Sequence, residues 1–382
     1  LVIASDPRCQ KVLEDHGISA LPFQAESLGL SQYHLPVSFK REMRQRWNKI
    51  ELEIKKQDTY IEFRGVDLWL ILRPYFRKMF FRRFPMSLQQ LHLAINLLRQ
   101  YHAGALILAA DNTYIGQIFA LAAKQLGVYS LTIQHGMVNH PKGYLPIRST
   151  QMAVMGDAIR EWLIKYGACP EQIVVTGQPR FDELILPPKT ARNLLLSEVD
   201  LNPSKPVWLI APDWHLGLWM RELLFRTLES INDIQAIIRV HPNDNPLDYE
   251  LALKYYPKLS QRVRISRQHD VVSALKACDV VVLGRSTIGL EALLAGTYII
   301  AVRPADEIGW IVPPYLEDYL DREPYLKVRT IEEFSRAWQK INCLENKDDL
   351  KRLRDEIITR YALADDGKNT ERVLQLISSY IN

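Results

Sequence analysis

Residues 280–301 read Val-Val-Val-Leu-Gly-Arg-Ser-Thr-Ile-Gly-Leu-Glu-Ala-Leu-Leu-Ala-Gly-Thr-Tyr-Ile-Ile-Ala. The two apolar runs predict buried strands, and the segment between them predicts a tight turn followed by a short helix. The turn holds Gly284, Ser286 and Thr287, and hydroxyls with free backbone N–H groups at a helix start favour an anion such as phosphate. Glu291, about one and a half helical turns further on, can accept hydrogen bonds from ribose hydroxyls. The stretch predicts nucleotide binding, although it lacks the G-x-G-x-x-G fingerprint.

The same alternation of apolar strands and helices continues on the N-terminal side of this stretch. Two series of strands are predicted, at 105–110, 128–133, 151–155 and 172–176, and then at 207–211, 236–240, 262–266, 280–283 and 298–302. Strands that alternate with helices indicate parallel sheets covered on both faces. Residues 68–98 predict a long helical region broken at Pro74 and Pro85. The predicted fold class is therefore α/β, with two Rossmann-like, doubly wound parallel-sheet domains that face an interdomain cleft.

The length and the proline distribution predict where these domains begin and end. A chain of 382 residues is too long for one ordinary core. Residues 187–206 contain four prolines and form the best linker candidate. We expect an N-terminal domain at 1–186, a C-terminal domain at 207–365, and a C-terminal helix at 366–382 that can cross back to the N-terminal domain. The chain begins at Leu1 without an initiator Met, so we expect that the native N-terminus is missing or was trimmed.

The composition excludes several classes of protein. Hydrophobic residues make up 47% and charged residues 24%, as in ordinary globular proteins. The net charge of +4 and the lack of a stacking-aromatic motif give no reason to expect nucleic acid as a partner. Four widely spaced cysteines form no zinc motif or disulfide framework, and no apolar run is long enough to predict a membrane span. We expect a cytoplasmic protein without a signal peptide.

Polar or ionisable residues follow six of the predicted strands. Ligands of open parallel sheets bind at the carboxyl ends of the strands, so this arrangement is more informative than any one residue. The candidates are Asp111, His135, Arg180, Asp213 with His215, Arg239 with His241, and Gly284 with Ser286 and Thr287. Four of these groups, and Glu291, also have a purely structural interpretation: a helix cap at 111–113 and at 286–287, a turn for His135, a strand end stopped by proline at 239–242, and an exposed helix surface for Glu291.

Two further segments leave alternatives open. Residues 73–85 interleave five cations with large apolar side chains, a composition that can lie at an anionic membrane interface. The alternative is a core-packed helix with a basic solvent face. In residues 365–373, Thr370 can cap the last helix, which would make that segment structural.

Taken together, the motifs resemble the GT-B superfamily of nucleotide-sugar enzymes over roughly residues 90–375. The resemblance includes bacterial surface and capsular polysaccharide glycosyltransferases, CDP-glycerol glycerophosphotransferases and UDP-N-acetylglucosamine 2-epimerases. It rests on Ala-Ala-Asp-Asn-Thr at 109–113, Ile-Gln-His-Gly at 133–136, Val-Thr-Gly-Gln-Pro-Arg-Phe-Asp-Glu-Leu at 175–184, Arg-Val-His-Pro-Asn at 239–243, Ser-Thr-x-x-x-Glu-Ala at 286–292 and Asp-Gly-Lys-Asn-Thr-Glu-Arg-Val at 366–373.

The chain departs from two of these groups. The epimerases typically show Glu-Ala-Gly where this chain has His135-Gly136, and Ser-Gly-Gly at residues 285–287. The glycerophosphotransferases usually carry paired serines and an Asp where this chain has Ser286, Thr287 and Glu291. A Glu followed by Ala-Leu-x-x-Gly is common in GT-B sugar transferases. The resemblance therefore favours glycosyl transfer, with a sugar-nucleotide epimerase or hydrolase, a glycerophosphotransferase and a non-catalytic nucleotide sensor as alternatives.

The resemblance implies a metal-independent glycosyltransferase without a cofactor, and we expect inversion because a candidate base is present and no nucleophilic carboxylate is evident. Its donor would be a UDP-, GDP- or CMP-linked sugar, and its acceptor a hydroxyl of a saccharide or lipid-linked molecule in surface polysaccharide or glycolipid synthesis. Ser286 and Thr287 would hold phosphate, Glu291 the ribose, and Arg239 with His241 the leaving phosphate. The remaining donor-site candidates are Arg180, Asp213, His215 and Gly284. His135, or Asp111 as its competitor, would be the catalytic base, and the expected location is the inner face of the membrane.

Overall fold

The computed structural model describes residues 3–4, 7–15, 17–23, 35–56, 62–137, 140–188, 190–213, 217–241, 244–266, 270–304, 316–320, 322 and 327–381. Its strands are β1 (Ile3–Ala4), β2 (Leu21–Pro22), β3 (Glu62–Phe63), β4 (Val66–Asp67), β5 (Ala105–Leu108), β6 (Tyr129–Ile133), β7 (Gln151–Val154), β8 (Ile173–Val175), β9 (Val207–Ala211), β10 (Gln235–Arg239), β11 (Val263–Ser266), β12 (Val280–Leu283), β13 (Tyr298–Val302) and β14 (Lys327–Val328).

The α-helices are α1 (Pro7–Asp15), α2 (Val37–Lys56), α3 (Leu68–Lys78), α4 (Phe84–Gln100), α5 (Tyr114–Leu126), α6 (Asp157–Lys165), α7 (Asp182–Ile185), α8 (Arg192–Glu198), α9 (Gly217–Ser230), α10 (Pro246–Leu253), α11 (Val271–Ala277), α12 (Ile288–Leu294), α13 (Glu317–Leu320), α14 (Ile331–Asn342), α15 (Lys347–Ala362) and α16 (Asn369–Ile381). In the described part of the chain, none of the helices combines the length and apolar character that crossing a membrane demands.

The strands β5 to β14 form a four-stranded sheet in the order β5-β6-β7-β8 and a six-stranded sheet in the order β11-β10-β9-β12-β13-β14. Two short pairs stand apart, β1 with β2 in parallel and β3 with β4 antiparallel. The chain divides into two compact units, residues 1–132 with 148–150 and 381, and residues 133–147 with 151–380 and 382. In the first unit, α4 and α5 pack through a small apolar core that contains Ala94, Leu97, Phe119 and Ala123. The Thr113 hydroxyl caps α5 by accepting a hydrogen bond from Gly116 N at 3.1 Å.

The helical region of the first unit differs from its prediction. Pro74 lies inside α3, and the chain continues through a π-helical turn at Met79–Arg83 into α4. The predicted break at Pro74 is therefore wrong. Pro85 directly follows the π-helical turn, where Phe84 N donates to the carbonyl oxygen of Met79, and the chain stays helical across it. The predicted break at Pro85 is therefore wrong as well, because the hydrogen-bond pattern beside the proline is already that of a π-turn.

The six-stranded sheet of the second unit is covered on both faces, as predicted. Successive side chains of a strand point to opposite faces, and the cores follow this alternation. One core contains Trp208, Ile210, Ile238, Val280 and Val282 together with Phe225 of α9 and Phe334 and Trp338 of α14. The other contains Leu209, Ile237, Val281 and Leu283 together with Leu293 of α12 and Ile357 of α15. The continuous apolar runs of these strands follow from burial on both sides.

The compact units do not coincide with the predicted domain boundaries at 186 and 207. Met152, Val154 and Phe181 belong to the same core as strands of the six-stranded sheet. The predicted linker 187–206 also contains α8, whose Leu195 and Leu196 are fully buried in that core. Burial of these apolar side chains explains why the proline-rich segment is part of the second unit and not a linker between units.

The last helix begins at a cap that comes from a distant part of the chain. Asp182 accepts hydrogen bonds from the backbone N–H groups of Asn369 at 2.9 Å and Thr370 at 2.8 Å. The interpretation that the Thr370 side chain caps this helix is therefore wrong, because Thr370 is its second residue and Asp182 accepts from two of its first N–H groups. Gly177 has a φ of +74°, and a Cβ there would clash with the Asn369 side chain. Asp182 and Gly177 thus fix the start of α16.

Candidate functional site

The strand order of the second unit indicates where a ligand should bind. β9 and β12 are neighbours, and the chain proceeds from β9 towards one edge of the sheet and from β12 towards the other. Such a switch point leaves a crevice at the carboxyl ends of the strands. A cavity of about 340 Å³ lies there, at the ends of β9, β10 and β12. It is lined by His135, Gly136, Met137, Ala211, Pro212, Asp213, Arg239, Val240, His241, Arg285, Ser286, Thr287 and Ile288.

The cavity brings together six of the eleven predicted site residues, namely His135, Asp213, Arg239, His241, Ser286 and Thr287. Gly284 is packed against Asp213 of this lining, so closely that a Cβ at position 284 would clash with the Asp213 side chain. Arg180 and Glu291 are not among the described lining residues. They form an ion pair with each other. His215 lies outside the described residues, and Asp111 belongs to the first unit.

The loop that carries His135 is held by the buried side chain of Gln134, which is 1% exposed. Gln134 Nε2 donates to the carbonyl oxygen of Gly136 at 2.8 Å, and Gln134 Oε1 accepts from Met155 N at 2.9 Å. The Gln134 carbonyl oxygen in turn accepts a hydrogen bond from Gln178 Nε2. These bonds fix the backbone on both sides of His135, whose own side chain is exposed.

Tyr144 completes the support of this loop. Its hydroxyl donates to the Gly136 carbonyl oxygen at 2.9 Å, and its ring is stacked on the His135 imidazole with 5.6 Å between centroids. Burial raises the pKa of Tyr144 to about 12, against smaller opposing effects of the Gly136 hydrogen bond and of Arg180. The hydroxyl therefore stays protonated at neutral pH and remains a donor.

The turn between β12 and α12 is held by hydrogen bonds to two other segments, one to a side chain and one to a backbone N–H. Asp213 Oδ2 accepts from Arg285 N at 3.2 Å, and Thr287 Oγ1 accepts from Met137 N at 3.1 Å. Thr287 makes no side-chain cap to α12, whereas Ser286 Oγ accepts from Ile288 N at 3.4 Å. The backbone N–H of Arg285 in this turn is thus bound to a carboxylate. The Thr287 hydroxyl, which accepts from Met137, retains its own hydrogen to donate.

Charge in and behind the cavity comes mainly from arginines. Arg239 and Arg285 line it together with Asp213. Behind it, Glu291 is only 9% exposed, and its Oε1 lies 2.8 Å from Arg180 Nη2. The interpretation of Glu291 as an exposed helix residue is therefore wrong. Burial raises the pKa of Glu291, and the positive charges of Arg180 and Arg239 oppose that rise.

The pKa of Arg239 is shifted by the same two causes, burial and nearby opposite charge. Burial lowers the pKa of its guanidinium, and Glu291 and Asp270 oppose the decrease. Because an arginine keeps its charge in proteins, Arg239 presents a partly desolvated cation to the cavity. An anionic group bound there would interact more strongly with it than with a fully hydrated side chain.

Asp111 is buried in the first unit and engaged by the backbone. Its Oδ2 accepts from Arg148 N at 2.7 Å, Ser149 N at 2.9 Å and Ser149 Oγ at 3.1 Å. The helix cap predicted for residues 111–113 is supplied by Thr113. These contacts account for Asp111 structurally, and its catalytic role stays a prediction.

Sequence reasoning missed the residues that position the site. Tyr144 carried no signal, because a tyrosine in a loop after a predicted strand fits many roles. Gln134, Gln178 and Arg285 were noticed only as members of strand ends, and their motifs do not show which of them point inward. Within the described ranges, no group of three or more His, Cys, Asp or Glu side chains is arranged to hold a metal. The expected independence of metal and cofactor stays a prediction.

Comparison with known proteins identifies the fold. No protein-family profile and no curated protein sequence matches the chain. A glycosyltransferase from Rickettsia africae ESF-5 is similar in structure, with 12% identity and a TM-score of 0.54 over 98% of this chain and 94% of that one. A UDP-GlcNAc 2-epimerase from Neisseria meningitidis bound to UDP-GlcNAc has 11% identity and a TM-score of 0.50 over 77% and 82%. The wall teichoic acid polymerase TagF, as a variant soaked with CDPG, has 16% identity and a TM-score of 0.50 over 73% and 72%.

These similarities confirm the predicted fold class. The two parallel α/β sheets of this chain are those of the GT-B fold shared by the three structures. At such low sequence identities, the likeness establishes the fold and leaves the activity to the site itself.

Proposed function

We propose that the chain is a GT-B glycosyltransferase that moves a sugar from a nucleotide-sugar donor to a hydroxyl acceptor. The observation that carries this proposal is the cavity at the sheet's switch point, where His135 lies together with Arg239 and Arg285. A base and two cations suit a reaction in which a hydroxyl loses a proton and a phosphate leaves. The product would be a surface polysaccharide or glycolipid, made at the inner face of the membrane.

The donor's phosphates would bind to Arg239 and Arg285, with His241 and the hydroxyls of Ser286 and Thr287 completing the contacts. The two guanidinium groups supply planar donor pairs that match phosphate oxygens. UDP-GlcNAc in the Neisseria meningitidis epimerase and CDPG in TagF show that proteins of this fold take nucleotide-activated ligands. This supports a UDP-, GDP- or CMP-linked donor here.

The ribose would bind at Glu291. Its carboxylate is held by Arg180 through one oxygen, but a carboxylate has about four acceptor positions. The ion pair therefore leaves capacity for ribose hydroxyls. Arg180 is about half exposed, so solvent or a ligand can reach the ion pair from its side.

In the proposed reaction, His135 takes the proton of the acceptor hydroxyl while that oxygen attacks the anomeric carbon of the donor. The bond from the anomeric carbon to the phosphate oxygen breaks, and its electron pair leaves with the nucleotide. Arg239 and Arg285 stabilise the negative charge that develops on the phosphate. One displacement inverts the anomeric centre. Asp213 is the carboxylate in the cavity lining, and its bond to Arg285 N favours a positioning role over attack on the sugar.

A second candidate is transfer of glycerol phosphate from CDP-glycerol. It is favoured by the Gln134-His135-Gly136 sequence, which resembles that group, and by the position of His135 in the cavity. The hydroxyl would then attack phosphorus rather than carbon, and CMP would leave. A donor panel that includes CDP-glycerol separates the two reactions.

The test is turnover of UDP-, GDP- and CMP-sugars and CDP-glycerol, with and without a mixture of saccharide and lipid-linked acceptors. We expect acceptor-dependent nucleotide release from one sugar donor, and its loss in His135→Ala. His92→Ala on α4 provides the control histidine. Isomerisation of UDP-N-acetylglucosamine without acceptor would instead establish the epimerase reaction, and equal turnover in His135→Ala would remove the proposed base.

A further inference from the structure

The segment formed by α3 and the following turn exposes apolar side chains that no part of the described chain covers. α3 has no buried residue, and neither does the π-helical turn 79–83. Leu70 is 71% exposed and Tyr75 67%. Ile71, Phe76, Met79 and Phe84 are exposed as well. Helices of globular proteins normally bury one apolar stripe, whereas these apolar side chains are exposed to solvent. We refer to residues 68–86 as the basic-aromatic face.

Cations are interleaved with these apolar side chains. Arg73, Arg77, Lys78, Arg82 and Arg83 are all exposed on the same segment. The sequence contains no Asp or Glu between residues 67 and 111. Arg73 Nε lies 2.5 Å from Glu51 Oε1 of α2, a pair that neutralises one of the five charges. The basic-aromatic face therefore combines uncovered apolar area with a strong positive charge.

A groove of about 620 Å³ adjoins this face, between α2 and α3. Trp47 is nearly buried at its base, with ring centroids 5.5 Å from Phe80 and 5.7 Å from Phe81. Lys40, Arg44 and Arg77 are also among its lining residues. Aromatic rings below cations match the boundary between the headgroups and acyl chains of a bilayer, where amphipathic side chains accumulate.

We propose that the basic-aromatic face docks onto a lipid bilayer that contains anionic headgroups. Charge complementarity selects this occupant. A second copy of the chain, paired through the same face, would oppose cations to cations, which is unfavourable. A polyanion would satisfy the arginines but would leave Leu70, Ile71 and Met79 in water, whereas the bilayer interface covers both kinds of side chain.

This inference deepens the proposed function, which expects synthesis at the inner face of the membrane, by naming the surface that contacts the lipid; it does not depend on which bond the protein breaks. It takes up the membrane-interface alternative for residues 73–85. On α3, Trp69 is partly buried and stacks on Trp47, but no residue is fully buried as in a core-packed helix.

Vesicle co-sedimentation of the full chain tests the proposal. We expect binding to vesicles with phosphatidylglycerol and little binding to phosphatidylcholine alone. The variant R77E/K78E/R82E/R83E should lose roughly a hundredfold or more in partition coefficient, because each basic residue near an anionic surface contributes about 1 kcal/mol. The control K124E/K165E/K254E/K351E changes the same number of exposed cations elsewhere and should keep its binding.

A second variant tests insertion of the apolar side chains. I71S/M79S replaces two exposed residues, so its melting temperature should match that of the wild type while its binding to anionic vesicles falls about tenfold or more. Absence of wild-type binding to anionic vesicles would overturn the proposal. An equal loss of vesicle binding in the control variant would also overturn it, because net charge alone would then explain the binding. Unchanged vesicle binding of I71S/M79S would overturn it too, because the face would then bind polyanions through its charges. None of these outcomes bears on turnover of a soluble acceptor.

Discussion

Thr287 Oγ1 accepts a hydrogen bond from Met137 N at 3.1 Å, although the two residues are 150 positions apart in the chain. This bond joins the turn after β12 to the loop that presents His135. The proposed phosphate contacts and the proposed base are thereby held in one fixed arrangement. Reactions between two bound groups depend steeply on such positioning.

Removal of the Thr287 hydroxyl tests this coupling. We expect Thr287→Val to lower stability by about 1 kcal/mol, because Met137 N loses its partner. Turnover should fall roughly 10- to 100-fold, because the donor phosphate loses a proposed hydroxyl contact and the His135 loop loses its bond to the turn. Thr287→Ser retains the hydroxyl and serves as the matched control. Denaturant unfolding and steady-state kinetics give the two readouts, and equal kinetics in the valine and serine variants would contradict the coupling.

The buried carboxylate of Glu291 predicts a pH-dependent stability. Its pKa is raised from the ordinary value of 4.5 because of burial, so the folded protein binds this proton more tightly than the unfolded chain does. Its stabilising contribution is therefore complete below 4.5 and is lost as the pH rises through the folded pKa. We expect the free energy of unfolding of the wild type, relative to Glu291→Gln, to increase as the pH falls from about 7 to about 5.

The measurement is chemical denaturation of both proteins across that pH range. Glu222→Gln, at an exposed surface pair with Arg226, provides the control for a carboxylate replaced outside the core. A difference between wild type and Glu291→Gln that grows towards higher pH would contradict the assigned cause, since it would mean that the ion pair with Arg180 outweighs burial.

Gly284 tests the close approach of Asp213 to the turn. A Cβ at this position would clash with the Asp213 side chain, so Gly284→Ala should displace Asp213 and release Arg285 N. We expect destabilisation of about 1–3 kcal/mol, as for other overpacked sites, together with weaker nucleotide binding. Gly143→Ala is the control, because a Cβ there meets nothing within 4 Å. Equal melting temperatures for the two variants would show that the turn accommodates a Cβ at position 284 without displacing Asp213.

The cap at the start of α16 predicts a stability effect far from the cavity. Asp182→Ala removes the acceptor for Asn369 N and Thr370 N, so we expect a loss of about 1 kcal/mol. Asp182→Asn keeps one side-chain oxygen and should lose less. Hydrogen exchange of the first turn of α16 should accelerate in the alanine variant. Protection equal to that of the wild type would assign the cap to another group.

The central strands of the six-stranded sheet could be predicted from the sequence because they are runs of apolar residues. Residues 207–211, 280–283 and 298–302 form strands with the predicted limits, since burial on both faces demands a continuous run of apolar residues. The edge strand β14 has only two residues and carries no such signal. The break predicted at Pro74 was wrong, because a proline in a helical pattern usually indicates a break whereas Pro74 lies inside α3.

The site was predictable to the level of strand ends and no further. Parallel topology places the carboxyl ends of β9, β10 and β12 together, which brings Asp213, Arg239 and Ser286 to one cavity. Which side chains then bind one another depends on tertiary geometry. The ion pair of Arg180 with Glu291 joins segments more than a hundred residues apart, and no spacing in the sequence indicates it.

The central claim is that the cavity at the ends of β9, β10 and β12 binds the nucleotide of an activated donor. Titration calorimetry with UDP, GDP, CMP and CDP tests it most directly, on the wild type and on Arg239→Gln and Arg285→Gln. Arg226→Gln is the control, because Arg226 lies in an exposed pair on α9. We predict that one nucleotide binds the wild type and Arg226→Gln alike and binds each cavity variant about tenfold more weakly or worse. Binding that is equal in all four proteins, or no binding to the wild type, would contradict the claim.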